Sequence, residues 1–527
     1  MLLYCVVLFF RRALLLFKAV YKLFNYYYYY YINNYRPISI LTQFNRLFER
    51  ILAARLMSFF EKNKIISSKQ FGFLRNHSTE HAILDLKEFI IHSLGNKEIK
   101  GVLFLDLKKA FDTVSHDILL NKLTHYGVRG QAHDLLSSYL YQRKQYTIVD
   151  GVRSDLDHVR WGVPQGSVLG PILFLLFIND LPNCCNMSSW LFADDTALGV
   201  SSDNFQDLQI QMNREIDKVQ NWLNANKLSV HYVKKTQYIL FVPPNKNIKK
   251  PNDFKIEMGG NTIEQTETYK YLGVLIDEKL SWKPQIEKMC SKLASACGII
   301  SKVRYVLDRN SLMLIYNSLV ESRLRYGILS WSTASNQLID RLKVLQNKAL
   351  RYIDFSPIGT TILPIYAQFQ VLPLNNLIEL QRANYMYSFS NDLLPTAFSS
   401  YCSKPDHRYE TRFSKTNYTI PKYISRISAT SLKVIGPKSW ANIPSDIKQL
   451  PFRKTFSKRM KKLYLSKLPT NKRTKKLNLK KKVEKNHTTK LSLEEIFCES
   501  DDNDSFYGFE VSFPSHDISA EIELVST

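Results

Sequence analysis

Three things are scarce in this chain of 527 residues. Its seven cysteines include no CxxC pair and no Cys/His cluster with zinc spacing, which argues against a structural zinc site. Their odd number and scattered placement argue against a disulfide framework and suit a reducing compartment. Long apolar runs are also missing. The opening MLLYCVVLFFRRALLLFKAV is interrupted by Arg11 and Arg12, whereas a membrane span needs roughly 20 apolar residues. A secretory signal would carry its positive charge before the apolar run, not after it. This stretch and the tyrosine run Tyr26–Tyr31 read as an extension foreign to the fold, with a helix of the fold or a targeting segment as the alternatives. The third shortage is negative charge: 47 acidic side chains face 72 basic ones, a formal net charge of +25. That balance does not specify a fold, but it points to a polyanionic partner, either nucleic acid or an anionic membrane surface.

What is present is dense globular patterning from Tyr35 to about Leu280. TQFNRLFERILAARLMSFFEKN predicts an amphipathic helix with Phe44, Leu47, Ile51 and Leu52 on one face. STEHAILDLKEFIIHSL predicts another, capped by Ser/Thr and carrying Glu80 in its first turn. GVLFLDL reads as a buried strand and PILFLLFINDL as a core helix too short to span a membrane. WLFA and TALGV read as short strands joined at Asp194-Asp195, and FQDLQIQMNREIDKVQNWLNANKL as a helix. Beyond Leu280 the pattern is helical. FRKTFSKRMKKLYL predicts a basic amphipathic helix with Phe452, Phe456 and Leu463 on one side. The lysine-rich stretch 471–485 and the acidic stretch Glu494–Asp504 build no core, and the tail is expected to be disordered.

The paired carboxylates Asp194 and Asp195 lie between apolar residues. Alone, the pair could be an ordinary exposed hairpin turn. Asp106 changes this reading, because it ends the apolar run VLFLD and so stands at the tip of a buried strand. If that strand pairs with the 190–199 hairpin, three carboxylates meet at one sheet edge, and divalent cations are what make such a cluster affordable. Paired Mg²⁺ ions serve phosphoryl transfer in this way.

NYRPIS, QFGFLRNHSTEHA, FLDLKKAFDTVSH, GVPQGSVLGPILF, FADD, NKLSV with KKT, YLGVLID, LQNKALR and GPKSW follow one another in this order. The sequence resembles the reverse transcriptase of a non-LTR retrotransposon, of the LINE type and nearest to the CR1/jockey group. The likeness runs from about Asn33 to about Leu465. It implies an α+β right-hand polymerase with fingers and palm over 33–276, a helical thumb over 277–360 and a C-terminal region over 361–468. The atypical extension 1–32 and the charged tail 469–527 flank them.

By match to the family's motifs, Asp106, Asp194 and Asp195 are the catalytic carboxylates and metal ligands, with the carbonyl of Leu107 also reaching a metal. Phe111 matches a steric gate against ribose, with a core role in its helix as the alternative. Gln165 and Gly166, in GVPQG, match the loop that packs on the incoming nucleotide and template base. Arg75 matches a triphosphate contact. Lys235 matches the residue that protonates the leaving pyrophosphate, with Lys234 as competitor and a plain surface lysine as the alternative. Tyr271, Leu272 and Gly273 match a primer-gripping hairpin. Asp112 reads as a local cap or turn partner, not a metal ligand.

The implied cofactor is Mg²⁺, two ions, with Mn²⁺ as a substitute. The implied partners are an RNA template, a DNA primer or nicked target DNA, and dNTPs, with no membrane. The implied location is nuclear. No endonuclease-sized segment precedes Tyr35, and neither a ribonuclease H carboxylate set nor a CCHC knuckle follows. A polymerase segment without the upstream endonuclease is therefore expected. The alternatives are a nucleic-acid-binding relic without activity and a maturase- or telomerase-type enzyme.

Overall fold

The computed structural model describes residues 38–141, 143–149, 152–232, 235–244, 249–357, 359–405, 416–423, 425–469 and 524–525. The extension 1–32 and Lys234 lie outside the described residues, as does the tail 469–527 apart from residues 469, 524 and 525.

One sheet organises the N-terminal half. Its strands are β1 (Ile99–Leu105), β2 (Ser188–Phe192), β3 (Asp195–Ser202), β4 (Gln237–Phe241) and β5 (Glu264–Gln265), in the order β5-β4-β1-β3-β2. All neighbours are antiparallel except β5, which runs parallel to β4. The central strand β1 is buried along its whole length, as expected of a strand covered on both faces.

Side chains alternate across a strand, so the sheet separates two cores. Val102, Phe104, Ala197, Ile239 and Phe241 point to one side. Leu103, Leu105, Leu198, Tyr238 and Leu240 point to the other. The second side is covered by α3 (His116–His125), α4 (Leu169–Ile178) and α5 (Phe205–Ala225), through Leu119, Phe174 and Leu208 among others. Helix α4 is the predicted core helix PILFLLFI and is buried at every position but Pro171. The first side is covered by α2 (Thr79–Gly95) through Ile83, Leu86 and Ile90. The same core continues into α6 (Lys283–Val303), α7 (Asn336–Asp354), α8 (Leu374–Ser390) and α9 (Arg453–Ser466). Helix α2 starts as predicted: Ser78 is its N-cap, and its hydroxyl accepts the His81 N–H.

Two expectations about helix faces are corrected. In α1 (Gln43–Lys62), Phe44, Leu47 and Ile51 are exposed, and only Leu52 of the predicted face meets the core. The buried positions are Glu49, Ala53 and Phe60, a stripe rotated from the predicted one. A buried carboxylate displaces the apolar face here, because Glu49 has a specific task described below. In α9, Phe456 is buried and stacks on Tyr387 at 4.4 Å, but Phe452 is exposed because it is the N-cap rather than part of the helix face. Among the described residues, no helix is long and apolar enough to cross a membrane.

A separate hairpin follows the sheet, made of β6 (Thr268–Tyr271) and β7 (Val274–Asp277). Its face packs onto the sheet, with the Tyr269 ring stacked on Phe104 at 4.1 Å and 10°.

Candidate active site

The sheet register brings the sequence-distant carboxylates to one edge. Across β1 and β3, Leu105 pairs with Thr196 and Phe104 with Ala197, so Asp106 and Asp195 stand at neighbouring strand ends. Phe192 pairs with Asp195, which leaves Ala193 and Asp194 as a two-residue hairpin turn. Ala193 adopts φ +55°, a left-handed conformation that side chains other than glycine reach only at a cost. The compensation is visible next door. Segment 69–72 lies along the edge of β2, with the Phe71 N–H donating to Leu191 O (2.7 Å) and the Leu191 N–H to Lys69 O (3.0 Å). From this segment the buried Gln70 Oε1 accepts the backbone N–H of both Gly72 (2.7 Å) and Ala193 (3.2 Å).

Asp106 is fixed from the other side. Its backbone N–H donates to the buried Thr236 Oγ1 at 3.3 Å, and its carbonyl accepts the His231 N–H at 2.9 Å. Its Oδ2 is shielded from solvent and accepts no hydrogen bond. Lys235 Nζ lies 3.4 Å from that oxygen and His231 Nε2 lies 3.9 Å from it. Burial and then the Lys235 charge lower the His231 pKa, against the opposing pull of Asp106.

Two phenols border the carboxylates. Burial, then the negative charges of Asp106 and Asp195, raise the Tyr269 pKa. Burial, then Asp195, raises that of Tyr271 well above the usual range. Both therefore stay protonated donors, Tyr269 to Lys235 O (3.2 Å) and Tyr271 to Trp190 O (3.4 Å).

Like charges gathered this way repel. Lys235 supplies one positive charge, from a side chain that is itself 60% exposed. Among the described residues, no three His, Cys, Asp or Glu side chains are grouped tightly enough to enclose a metal ion. The donor set nonetheless suits a hard divalent cation, since its carboxylate oxygens are of the class such cations prefer and Asp106 Oδ2 makes no hydrogen bond. Leu107 is buried and pairs with Val230 in an isolated bridge.

A second group of expected residues is tied together beside this edge. Phe111 is half-buried and stacks on Phe174 at 4.4 Å. Its carbonyl accepts the Val163 N–H at 2.8 Å. Gln165 Nε2 donates to Asp112 Oδ1 at 2.9 Å, and Gln165 O accepts the Ser39 N–H at 2.7 Å. The Asp112 carboxylate, expected to serve a local cap or turn, is here engaged by a side chain 53 positions further along the chain. Gly166 is exposed and packs against Ser39. His116 Nε2 lies 2.8 Å from Gly162 O. The loop passes directly into α4, whose first free amides, Val168 and Leu169, donate to Glu49 Oε2 at 2.7 and 3.2 Å. Tyr139 donates to the other Glu49 oxygen at 2.9 Å. Arg75 is exposed on the turn between Gly72 and α2, where its carbonyl lies 2.8 Å from His77 Nδ1.

Gln70, Glu49, Thr236 and His231 escaped the sequence reading. Each acts on a residue far along the chain, and only Glu49, a carboxylate inside an apolar helical stripe, left any local signal. Two cavities elsewhere, of about 470 and 410 Å³, are not lined by any of the three carboxylates.

The family model described as reverse transcriptase (RNA-dependent DNA polymerase) matches residues 29–276. The chain is similar to the probable RNA-directed DNA polymerase from transposon BS of Drosophila melanogaster, with 31% identity over 360 residues, covering 62% of this chain and 37% of that protein. It is similar also to the RNA-directed DNA polymerase from mobile element jockey of Drosophila melanogaster, with 29% identity over 339 residues, covering 62% of this chain and 36% of that protein. The chain thus spans little more than a third of the length of these curated relatives. A solved telomerase from Candida tropicalis, in complex with a fragment of telomeric RNA, shares 11% identity at a TM-score of 0.33, covering 65% of this chain and 58% of that one.

Proposed function

We propose, from the premise that residues 29–276 carry a reverse transcriptase domain similar to those of non-LTR mobile elements, that the chain is an RNA-directed DNA polymerase. The observation that carries the reading is the β1–β3 register, which sets Asp106 beside Asp195 with Asp194 in the adjoining turn. In this reading the sheet with α3, α4 and α5 is the palm. Segments 38–95 and 131–166 supply the fingers, and the helices from Lys283 to about residue 360 form the thumb. The rest, to about residue 468, is a C-terminal extension of the thumb side.

The reaction is attack of a primer 3′-oxygen on the α-phosphorus of a dNTP. The new phosphodiester bond forms, the bond to the β-phosphate oxygen breaks, the 3′-hydroxyl loses its proton and pyrophosphate leaves. Asp106, Asp194 and Asp195 would hold the divalent ions, which we assign as two Mg²⁺ replaceable by Mn²⁺. When bound, these ions would make the primer hydroxyl more acidic and neutralise charge on the leaving oxygen. Lys235, beside Asp106, supplies a proton to the departing pyrophosphate. Phe111 stands under the sugar and excludes a 2′-hydroxyl. Gln165, oriented by Asp112, and Gly166 contact the nascent base pair, and Arg75 meets the triphosphate. Tyr271, Leu272 and Gly273 hold the primer end. The basic chain tracks the phosphate backbones of an RNA template and DNA primer, which it reads by shape. A nuclear location would follow from this role.

The test is primer extension by the full chain with an RNA template, an annealed DNA primer, dNTPs and Mg²⁺. Extension should depend on template sequence, stop with EDTA, resume with Mg²⁺ or Mn²⁺, and be absent from Asp194→Ala. Hybrid binding that weakens with salt but yields no extension under any of these conditions would identify a binding relic instead.

A further inference from the structure

The helical stretch after Leu307 breaks at Tyr326-Gly327, between the short helices Ser322–Arg325 and Ile328–Trp331. The break coincides with a contact to the tip of the β6–β7 hairpin. Tyr271 pairs with Val274, so Leu272 and Gly273 form a two-residue turn, with φ +45° and +84°. Two consecutive positive φ angles are what this tight turn requires, and leucine tolerates them poorly. The strained carbonyl is held: the Tyr326 hydroxyl donates to Leu272 O at 2.6 Å and lies 3.3 Å from Thr79 Oγ1 at the start of α2. The Tyr326 ring covers the neighbouring residue, where a Cβ on Gly273 would come within 3.2 Å of it. One residue on, a Cβ on Gly327 would meet Val274 Cγ2 at 2.9 Å. Tyr326 is held in turn, because the fully buried Trp331 donates from Nε1 to Tyr326 O at 2.9 Å.

We infer that Tyr326 is a positioning residue that clamps the Leu272-Gly273 turn, and through it sets where the primer 3′ end lies relative to Asp195. The inference rests on the proposed polymerase activity and on the hairpin as its primer grip. The connection is short: Tyr271, beside the turn, donates its hydroxyl to Trp190 O at 3.4 Å, in the strand β2 that pairs with the strand beginning at Asp195. The same hydroxyl touches both the hairpin and α2, so the helical region, the hairpin and the segment carrying Arg75 share one anchor. A merely packed tyrosine would act through its ring. The clamp acts through its hydroxyl.

Tyr326→Phe in the full chain separates the two, because it keeps the ring over Gly273 and removes only the donor. Two measurements are needed. In hydrogen exchange, the segment 268–277 of Tyr326→Phe should exchange faster than wild type, with the rest of the sheet and the thermal midpoint unchanged. In single-turnover incorporation, the rate at saturating dNTP should fall about tenfold, as expected for loss of one well-placed hydrogen bond. The dNTP concentration for half-maximal rate should stay within about twofold, and the deficit should grow on a primer with a mismatched 3′ end. A variant that incorporates at the wild-type rate on both primers overturns the inference, whether or not its exchange changes. So does a rate loss accompanied by an equal loss of folded protein. If the wild-type chain itself does not extend a primer, the polymerase reading falls and the positioning role with it. The exchange measurement separates this case, since it reports the clamp without any catalysis.

Discussion

Gln70 Oε1 accepts the backbone N–H of Ala193 at 3.2 Å, one residue before Asp194. The bond ties segment 69–72, already paired to Leu191 of the hairpin, to the turn residue held at φ +55°. Gln70→Met keeps the volume of the side chain and removes the acceptor, leaving the amides of Gly72 and Ala193 unsatisfied in a buried site. We expect a loss of about 1–3 kcal/mol in chemical denaturation. We also expect a loss of primer extension larger than the stability change explains, because the Asp194 turn is then free to relax. Wild-type extension by Gln70→Met would show that the turn needs no external anchor.

Glu49 does for α4 what an N-cap side chain does from within a helix, but from a different helix. Glu49→Ala removes a buried carboxylate with three donors and should cost about 2–4 kcal/mol. Glu49→Gln keeps an acceptor and should cost less. Equal unfolding midpoints for Glu49→Ala and wild type would contradict this assignment.

Phe111 has two possible duties, packing on Phe174 and screening the sugar. Phe111→Ala separates them. A sugar screen predicts that discrimination against ribonucleotides falls by about 10–100-fold, measured as the ratio of incorporation efficiencies for dNTP and NTP. Destabilisation with that ratio unchanged would reduce Phe111 to a core residue.

Lys87 is buried in α2 and donates to the carbonyls of Leu329 and Ser330. Burial lowers its pKa from 10.5 to about 8, against the opposing pull of Glu88. Between about pH 8 and 10.5 the unfolded chain therefore binds the proton that the folded chain has released, so stability rises with pH across that window. The contribution is on the order of 3 kcal/mol. Lys100, lowered to about 7 by burial, acts in the same direction. Lys87→Met should flatten the rise without abolishing it, as read from urea midpoints at pH 8 and 10. An unchanged rise would show that Lys87 keeps its proton.

The parts of the fold legible in the sequence are those specified by local pattern. VLFLD announced a buried strand ending at Asp106 and STEHAILDLKEF a capped helix; WLFADDTALG announced a hairpin, but its turn is Ala193-Asp194, one residue earlier than the Asp194-Asp195 expected. The pairing of the VLFLD strand with that hairpin entered the sequence reading only as a condition, and the β1–β3 register meets it. The face of α1 was misread because Phe44, Leu47 and Ile51 fit a helical period as well as the residues that are buried, and period alone cannot rank two overlapping stripes. Gln70, Thr236 and Tyr326 were not legible because each acts through one hydrogen bond to a distant backbone atom, and such bonds leave no periodicity.

The most direct test separates binding from chemistry. Asp194→Asn removes a charge with little change in shape, so the folded protein should bind an RNA–DNA hybrid at least as tightly as wild type. Incorporation of a single dNTP in the presence of Mg²⁺ should fall by about a thousandfold or more, the scale seen when a group stabilising the transition state is removed. Retained binding with lost incorporation is the predicted result. Incorporation at the wild-type rate by a correctly folded Asp194→Asn would contradict the assignment of the carboxylate edge as the catalytic centre.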